Sequence, residues 1–358
     1  MDTPRVELFA VQARVTLDDY ASPEAFTARH RALASRVEAL RTRDTRGRPL
    51  YPALAVWPEM LGAPLGLMGH LHRVRACTTA QAAMTRVALA ELPRLLGAAV
   101  RHRPRSLEEC LFTTVAPRVH HALWTTFSAI AREHGLWVVA GSALLPRDRL
   151  GHTGPGFTPE GARTYNTSYT FAPDGACVAV TRKVNLVPTQ EDTLRLSPGR
   201  PEELRVVETP FGRLGTLICY DGFREPHTAR EPGFVPAAPV VDALGAQVLA
   251  QPSANAWAWD APWAFNDPGE HQLRREQWFN EGLFTQLRAL RHVRYAVNPQ
   301  LVGTFFENTF EAPSLILERS PTGDVQVLAR AEDPRAEDVL RATVPLAPPP
   351  SPSGLPLV

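Results

Sequence analysis

The sequence predicts an α/β protein whose mixed β-sheets are covered by helices on their outer faces. Three observations carry that prediction. Short, wholly apolar runs recur along the chain, as strands buried on both faces require. Segments with helical spacing alternate with those runs. Two hairpin signals, Ala-Pro-Asp-Gly-Ala at 172–176 and Pro-Thr-Gly at 321–323, interrupt the alternation and argue against a purely parallel sheet.

Taken in order, residues 6–12 form the first buried strand. Ser22, Pro23 and Glu24 then supply a cap, a proline at the first helical position and an early acid. Phe26, Leu33, Val37 and Leu40 follow on one helical face. Residues 53–57 form a second buried strand, which Pro58 stops, leaving Glu59 on a loop at its C-terminal end. Residues 78–100 read as helical with an interruption at Pro93. A clearer helix spans 119–134, with Leu123, Phe127 and Ile130 on one side and Gly135 as its stop. Residues 136–140 are another buried strand.

Residues 165–171 and 177–182 are the arms of the first hairpin, and Lys183 follows directly. The run 213–219 is a buried strand that ends on Cys219. Residues 236–244 read as a helix stopped by Gly245 and leading into a strand at 247–251. Residues 256–269 are a Trp- and Pro-rich loop, and 270–293 read as one long amphipathic helix. A late hairpin joins 314–318 to 324–329. No internal repeat or linker divides the chain, so residues 1–345 are expected to form one domain, followed by a proline-rich tail at 346–358.

Composition bounds the function. The chain has 358 residues, 44% of them hydrophobic, and a net charge of +1. That balance gives no electrostatic case for nucleic acid or an anionic membrane. No apolar run approaches the roughly 20 residues of a membrane-spanning helix. The first residues lack the apolar stretch of a signal peptide. Cys77, Cys110, Cys177 and Cys219 are widely spaced without a C-x-x-C, so neither a zinc site nor a dithiol pair is expected. A reducing cytoplasm is the simplest setting for them. The pair His120-His121 sits on a helix, where neighbours point apart, so a shared metal is not expected. Three glycines at 151–156 lack the dinucleotide pattern. Trp257, Trp259 and Trp263 suit either a pocket wall or the packing of a long loop.

The charge inventory holds one further clue. Of 38 basic residues one is lysine, Lys183, and 38 − 1 = 37 are arginine. A compact ammonium and a planar guanidinium do different work. Glu59, Lys183 and Cys219 each follow an apolar strand-like run, and strand C-termini gather around the functional crevice of α/β folds. A thiol is a good nucleophile, a carboxylate can take and return its proton, and an ammonium can face an oxyanion. If a turn begins at Cys219, the Tyr220 N–H adds a second oxyanion donor. Glu191 is placed to hold the ammonium in register.

These residues sit in motifs that resemble the nitrilase superfamily of carbon–nitrogen hydrolases. The motifs are Val56-Trp57-Pro58-Glu59, Arg182-Lys183-Val184-Asn185-Leu186-Val187-Pro188 and Gly215-Thr216-Leu217-Ile218-Cys219-Tyr220-Asp221. Glu191 matches the family's second Glu. Ala140-Gly141-Ser142, Tyr165-Asn166-Thr167 and the stretch from Gly245-Ala246-Gln247 to Pro252-Ser253 are also similar, so the likeness runs in order from residue 6 to about 329. It implies a four-layer α-β-β-α sandwich and cofactor-free hydrolysis of a small-molecule amide, with water, through a thioester on Cys219. It also implies a homodimer or larger homo-oligomer. Departures from the family pattern are Gly222-Phe223-Arg224-Glu225-Pro226 after the nucleophile motif, and extra length at about 62–118 and 256–281. Cys-Tyr-Asp leans towards an amidase. The alternatives are a nitrilase and a catalytically idle scaffold that binds a protein partner.

Overall fold

A computed structural model describes residues 4–346. The first half of the chain supplies strands β1 (Arg5–Gln12), β2 (Ala53–Trp57), β3 (Trp137–Ala140), β4 (Ala143–Asp148), β5 (Pro159–Phe171) and β6 (Cys177–Arg182). The second half supplies β7 (Val206–Thr209), β8 (Gly212–Thr216), β9 (Val248–Ala250), β10 (Tyr295–Asn298), the small hairpin β11 (Gly303–Phe305) and β12 (Asn308–Phe310), then β13 (Leu315–Arg319) and β14 (Val325–Arg330). A last strand, β15 (Asp338–Pro345), returns to the first sheet and pairs antiparallel with β1.

Two mixed sheets result. One runs β15-β1-β2-β3-β5-β4 with β6 on β5, and the other runs β14-β13-β10-β9-β8-β7. β1, β2 and β3 are parallel neighbours, as are β8, β9 and β10, and the flanking pairs are antiparallel. Alternation along each strand builds the layers. Val6, Leu8 and Ala10 meet Leu214, Val248 and Val297 between the sheets. Phe9, Val11, Ala55 and Trp57 point the other way, into the core beneath the helices of the first sheet. Leu217, Leu249 and Ala296 face the helices of the second. Both faces of every central strand are covered, which is why these strands read as unbroken apolar runs rather than alternating ones.

The helices are α1 (Pro23–Leu40), α2 (Leu71–Val74), α3 (Ala80–Ala90), α4 (Leu92–His102), α5 (Leu107–His134), α6 (Ala237–Ala243), α7 (Arg274–Glu281) and α8 (Leu283–Gln286). Three sequence expectations change here. The helix expected at 119–134 begins at Leu107, because Ser106 caps it by accepting the Glu109 N–H at 3.1 Å, and Pro117 lies inside it. The extra length at 62–118 is therefore α2, α3, α4 and the first turns of α5. The single helix expected at 270–293 is two short ones. Gly282 breaks it with an extended backbone, and a Cβ there would lie 2.3 Å from the Trp278 carbonyl oxygen. The proline-rich tail, beyond Leu346, lies outside the described residues.

Candidate active site

The Glu59 loop is shaped by the turn after β3. Gly141 has φ +59, and a Cβ on it would lie 2.1 Å from the Pro58 carbonyl oxygen. Only glycine permits this approach. Next to it, Ser142 Oγ accepts the Met60 N–H at 2.9 Å, and the Ser142 carbonyl accepts the Gly62 N–H at 2.9 Å. The Ala-Gly-Ser motif thus clamps the turn on which Glu59 sits, 2% exposed.

Lys183 leaves β6 into the interior, also 1% exposed. Its ammonium donates to Glu59 Oε1 at 2.7 Å and lies 2.6 Å from Glu191 Oε2. Glu191 is held in turn by the Val187 N–H at 3.0 Å. Asn166, in the middle of β5, donates through Nδ2 to Glu59 Oε1 and to Glu191 Oε1, both at 2.8 Å. Two carboxylates on that nitrogen fix the orientation of the amide. Burial opposes the charge on Lys183, but Glu191 and Glu59 outweigh it and hold its pKa well above the usual value. Burial raises the Glu59 carboxyl, helped by Glu191 and opposed by Lys183 and by a hydrogen bond from the Cys219 thiol.

Cys219 opens a 3-10 turn, Cys219–Gly222, and takes a left-handed backbone with φ 48, an uncommon state for a residue with a Cβ. Its N–H donates to the Pro252 carbonyl at 2.8 Å, and its carbonyl accepts Gln251 Nε2 at 2.6 Å. Gly222 lets Gln251 come this close, since a Cβ would lie 2.1 Å from that nitrogen. Burial and the negative Glu59 push the thiol up to about 12, so it rests protonated. The Tyr220 N–H is the second donor of the turn and has no acceptor within it. The Tyr220 side chain points elsewhere. Its hydroxyl donates to Glu231 at 2.8 Å, and its ring stacks on His227 at 3.9 Å.

Asp221 ties the Lys183 loop to the Cys219 turn. Its carboxylate accepts the Val184 N–H at 3.1 Å, the Asn185 N–H at 2.7 Å and the Ile218 N–H at 3.4 Å. Burial raises it to about 7 against the pull of those donors and of Lys183.

All five residues singled out in the sequence, Glu59, Lys183, Glu191, Cys219 and Tyr220, thus come together. Asn166 was not singled out as a site residue. The signal for it was a polar side chain amid a buried strand, which has to find partners. The tryptophans of 256–269 divide. Trp263 and Trp257 flank the buried guanidinium of Arg274, at 4.1 and 4.9 Å from its carbon, and Trp259 packs on Trp278. His120 turns inward to Tyr169 and the Gly154 carbonyl, both at 2.9 Å, while His121 is exposed.

A cavity of about 490 Å³ opens beside Glu59, Lys183 and Glu191. Helices α3 and α5 and the β11–β12 hairpin wall it, chiefly with apolar side chains.

Residues 74–227 match the carbon-nitrogen hydrolase family, a segment that holds Lys183, Glu191 and Cys219 and begins after Glu59. The matched segment is under half of the chain, and over it the protein is similar to carbon–nitrogen hydrolases. Among curated relatives, the omega-amidase NIT2 of Homo sapiens is 30% identical over 131 residues, 32% of this chain and 42% of that protein. Its Danio rerio counterpart is 30% identical over 117 residues, 31% and 37% of the two chains. The chain thus spans about two fifths of the length of the relatives it matches. Among solved structures, a cysteine-to-serine mutant of the Nesterenkonia AN1 amidase from the nitrilase superfamily superposes with TM-score 0.55 at 18% identity, covering 96% and 92% of the two chains. A carbon–nitrogen hydrolase from Helicobacter pylori G27 gives 0.57 at 16% identity, covering 96% and 89%. These structural likenesses are of fold.

Proposed function

We propose that this protein is an amidase-type hydrolase of carbon–nitrogen bonds other than peptide bonds, with Cys219 as nucleophile. The observation that carries the reading is the contact set around Lys183: a buried ammonium held between Glu59 and Glu191, beside a thiol on a left-handed turn. Glu59 takes the thiol proton as Sγ attacks the carbonyl carbon. A raised carboxyl pKa makes Glu59 a stronger base for that proton, while burial of the thiol opposes the transfer and the Lys183 ammonium, which favours the thiolate, offsets it. Lys183 and the Tyr220 N–H receive the developing oxyanion. The C–N bond breaks, and the Glu59 proton leaves with the amine. Water then gives a proton to Glu59 and attacks the thioester, the C–S bond breaks to release the carboxylic acid, and Glu59 returns its proton to Sγ. Glu191 and Asn166 hold the ammonium and Glu59 in register.

The relatives support this reading. They include omega-amidases, and a mutant of the Nesterenkonia amidase carries the product of Michael addition of acrylamide at its active-site cysteine. The test is mass spectrometry of the protein quenched during turnover of a panel of primary amides. An acyl adduct on Cys219, with Cys219→Ala at least about 10⁴-fold slower, is the expected result. Turnover that survives in Cys219→Ala would remove the nucleophile and with it the mechanism.

A further inference from the structure

The cavity beside the Glu59–Lys183–Glu191 cluster has a one-sided chemistry. Its walls away from the cluster are chiefly apolar, with Met84 and Val87 from α3, Leu111 and Phe112 from α5, and Phe305 and Phe306 around the small hairpin; the neutral polar lining is Gln81, Thr189, Gln190, Thr193 and Asn308. Its charged lining residues are Glu59, Lys183, Glu191 and Glu307. No arginine lines it, in a chain with 37 of them. The single cation, Lys183, is already engaged by two carboxylates. Arg274 does not line the cavity and sits among Trp257, Trp263 and Trp278. A second carboxylate on a substrate would therefore face acids, a few neutral amides and hydroxyls, and hydrocarbon, with no free cation to neutralise it. An uncharged chain would bury apolar surface along the whole wall.

We propose that the substrates are primary amides of apolar acids, with the alkyl or arylalkyl chain seated between α3, α5 and the β11–β12 hairpin. The proposal rests on the amidase reading and goes beyond it by naming the substrate class. It also gives the segment at 62–118 a role: α3 and the first turns of α5 form the specificity wall. The volume of about 490 Å³ lies within the range of ligand pockets.

The test measures kcat/KM for acetamide, butanamide, hexanamide and octanamide, with adipamic acid as a carboxylate-ended analogue of hexanamide. The expected result is a rise of about fourfold per added methylene until the cavity is filled. Adipamic acid should fall at least about 100-fold below hexanamide. Met84→Trp, which fills the cavity, should reduce the octanamide-to-acetamide ratio at least about tenfold, and Ala80→Leu gives a second, smaller intrusion from the same helix. A flat series, a preference for acetamide, or equal use of adipamic acid would overturn the proposal while leaving the amidase reading in place. Calorimetric binding of octanamide and acetamide to Cys219→Ala separates the other case. Chain-length-dependent binding with no turnover by the unmodified protein would keep the cavity assignment and defeat the amidase reading.

Discussion

At the scale of single residues, the site depends on which cation stands at position 183. Its ammonium, buried at the edge of the cavity, reaches two carboxylates at 2.7 and 2.6 Å. A guanidinium keeps the charge but is larger and planar, so it cannot place one N–H on each acid and a third on an oxyanion from the same point. Lys183→Arg should therefore lower kcat by about 10²–10³, the effect of losing an oxyanion donor. Circular dichroism should show a retained fold. Activity within tenfold of the parent would defeat the oxyanion role. The sequence made this residue conspicuous because arginine replaces lysine everywhere else. Asn166 was harder to find, because nothing in Tyr-Asn-Thr says that one amide will bridge two carboxylates that lie far apart in the chain.

At the scale of elements, the strands were legible and the helical boundaries less so. Buried strands announce themselves as apolar runs, and β1, β2 and β3 lie close to where the sequence placed them. The helix expected at 119–134 starts twelve residues earlier, at Leu107, because capping at Ser106 and an apolar face of Leu111, Phe112 and Val115 set its start and Pro117 is accommodated within it. The break at Gly282 depends on a contact with Trp278 that spacing does not reveal. The antiparallel pairing of β4 with β5 is likewise set across a long loop. Close approach between turns yields a prediction at this level. Gly141→Ala puts a Cβ 2.1 Å from the Pro58 carbonyl in a left-handed backbone. The expected cost is about 2–5 kcal/mol of stability. It should come with at least a tenfold loss of kcat, because the strained turn carries Glu59. Denaturant titration measures the first, with Gly154→Ala as the control, since a Cβ there meets nothing within 4 Å. Equal stability of the two variants would mean that the Gly141 contact does not position the loop.

At the scale of the molecule, stacking two sheets between helices buries histidines that the chain then keeps neutral. Burial lowers His30 to about 3 and His152 to about 4, from the usual 6.5, and His120 and His227 move the same way. In the unfolded chain these rings take up protons near pH 6.5, while the folded state holds out. Each therefore removes up to about 1.4 kcal/mol of stability per pH unit as pH falls below 6.5, until its own folded value is reached. Asp221, raised to about 7, and Glu59, also raised, act in the opposite sense, since the folded state binds their protons first. His102 is lowered too and Glu281 raised, so five histidines outweigh three carboxyls. Glu91, lowered to about 2 by His70, Arg118 and Arg94 against burial, adds a further loss below its usual 4.5. Urea midpoints should accordingly fall steadily from pH 6.5 to 4. A flat or rising profile would show that the histidines protonate within the fold.

The placement of the lone lysine has a consequence for the outside of the protein. Every other basic side chain is a guanidinium or an imidazole, and the one primary amine among the side chains is 1% exposed and ion-paired. The folded surface therefore offers no lysine to acylating reagents, to aldehyde cross-linkers or to conjugating enzymes that build on an ε-amine. An amine-reactive probe that reaches position 183 reports that the interior has opened, so the buried ammonium doubles as an internal marker of the intact fold.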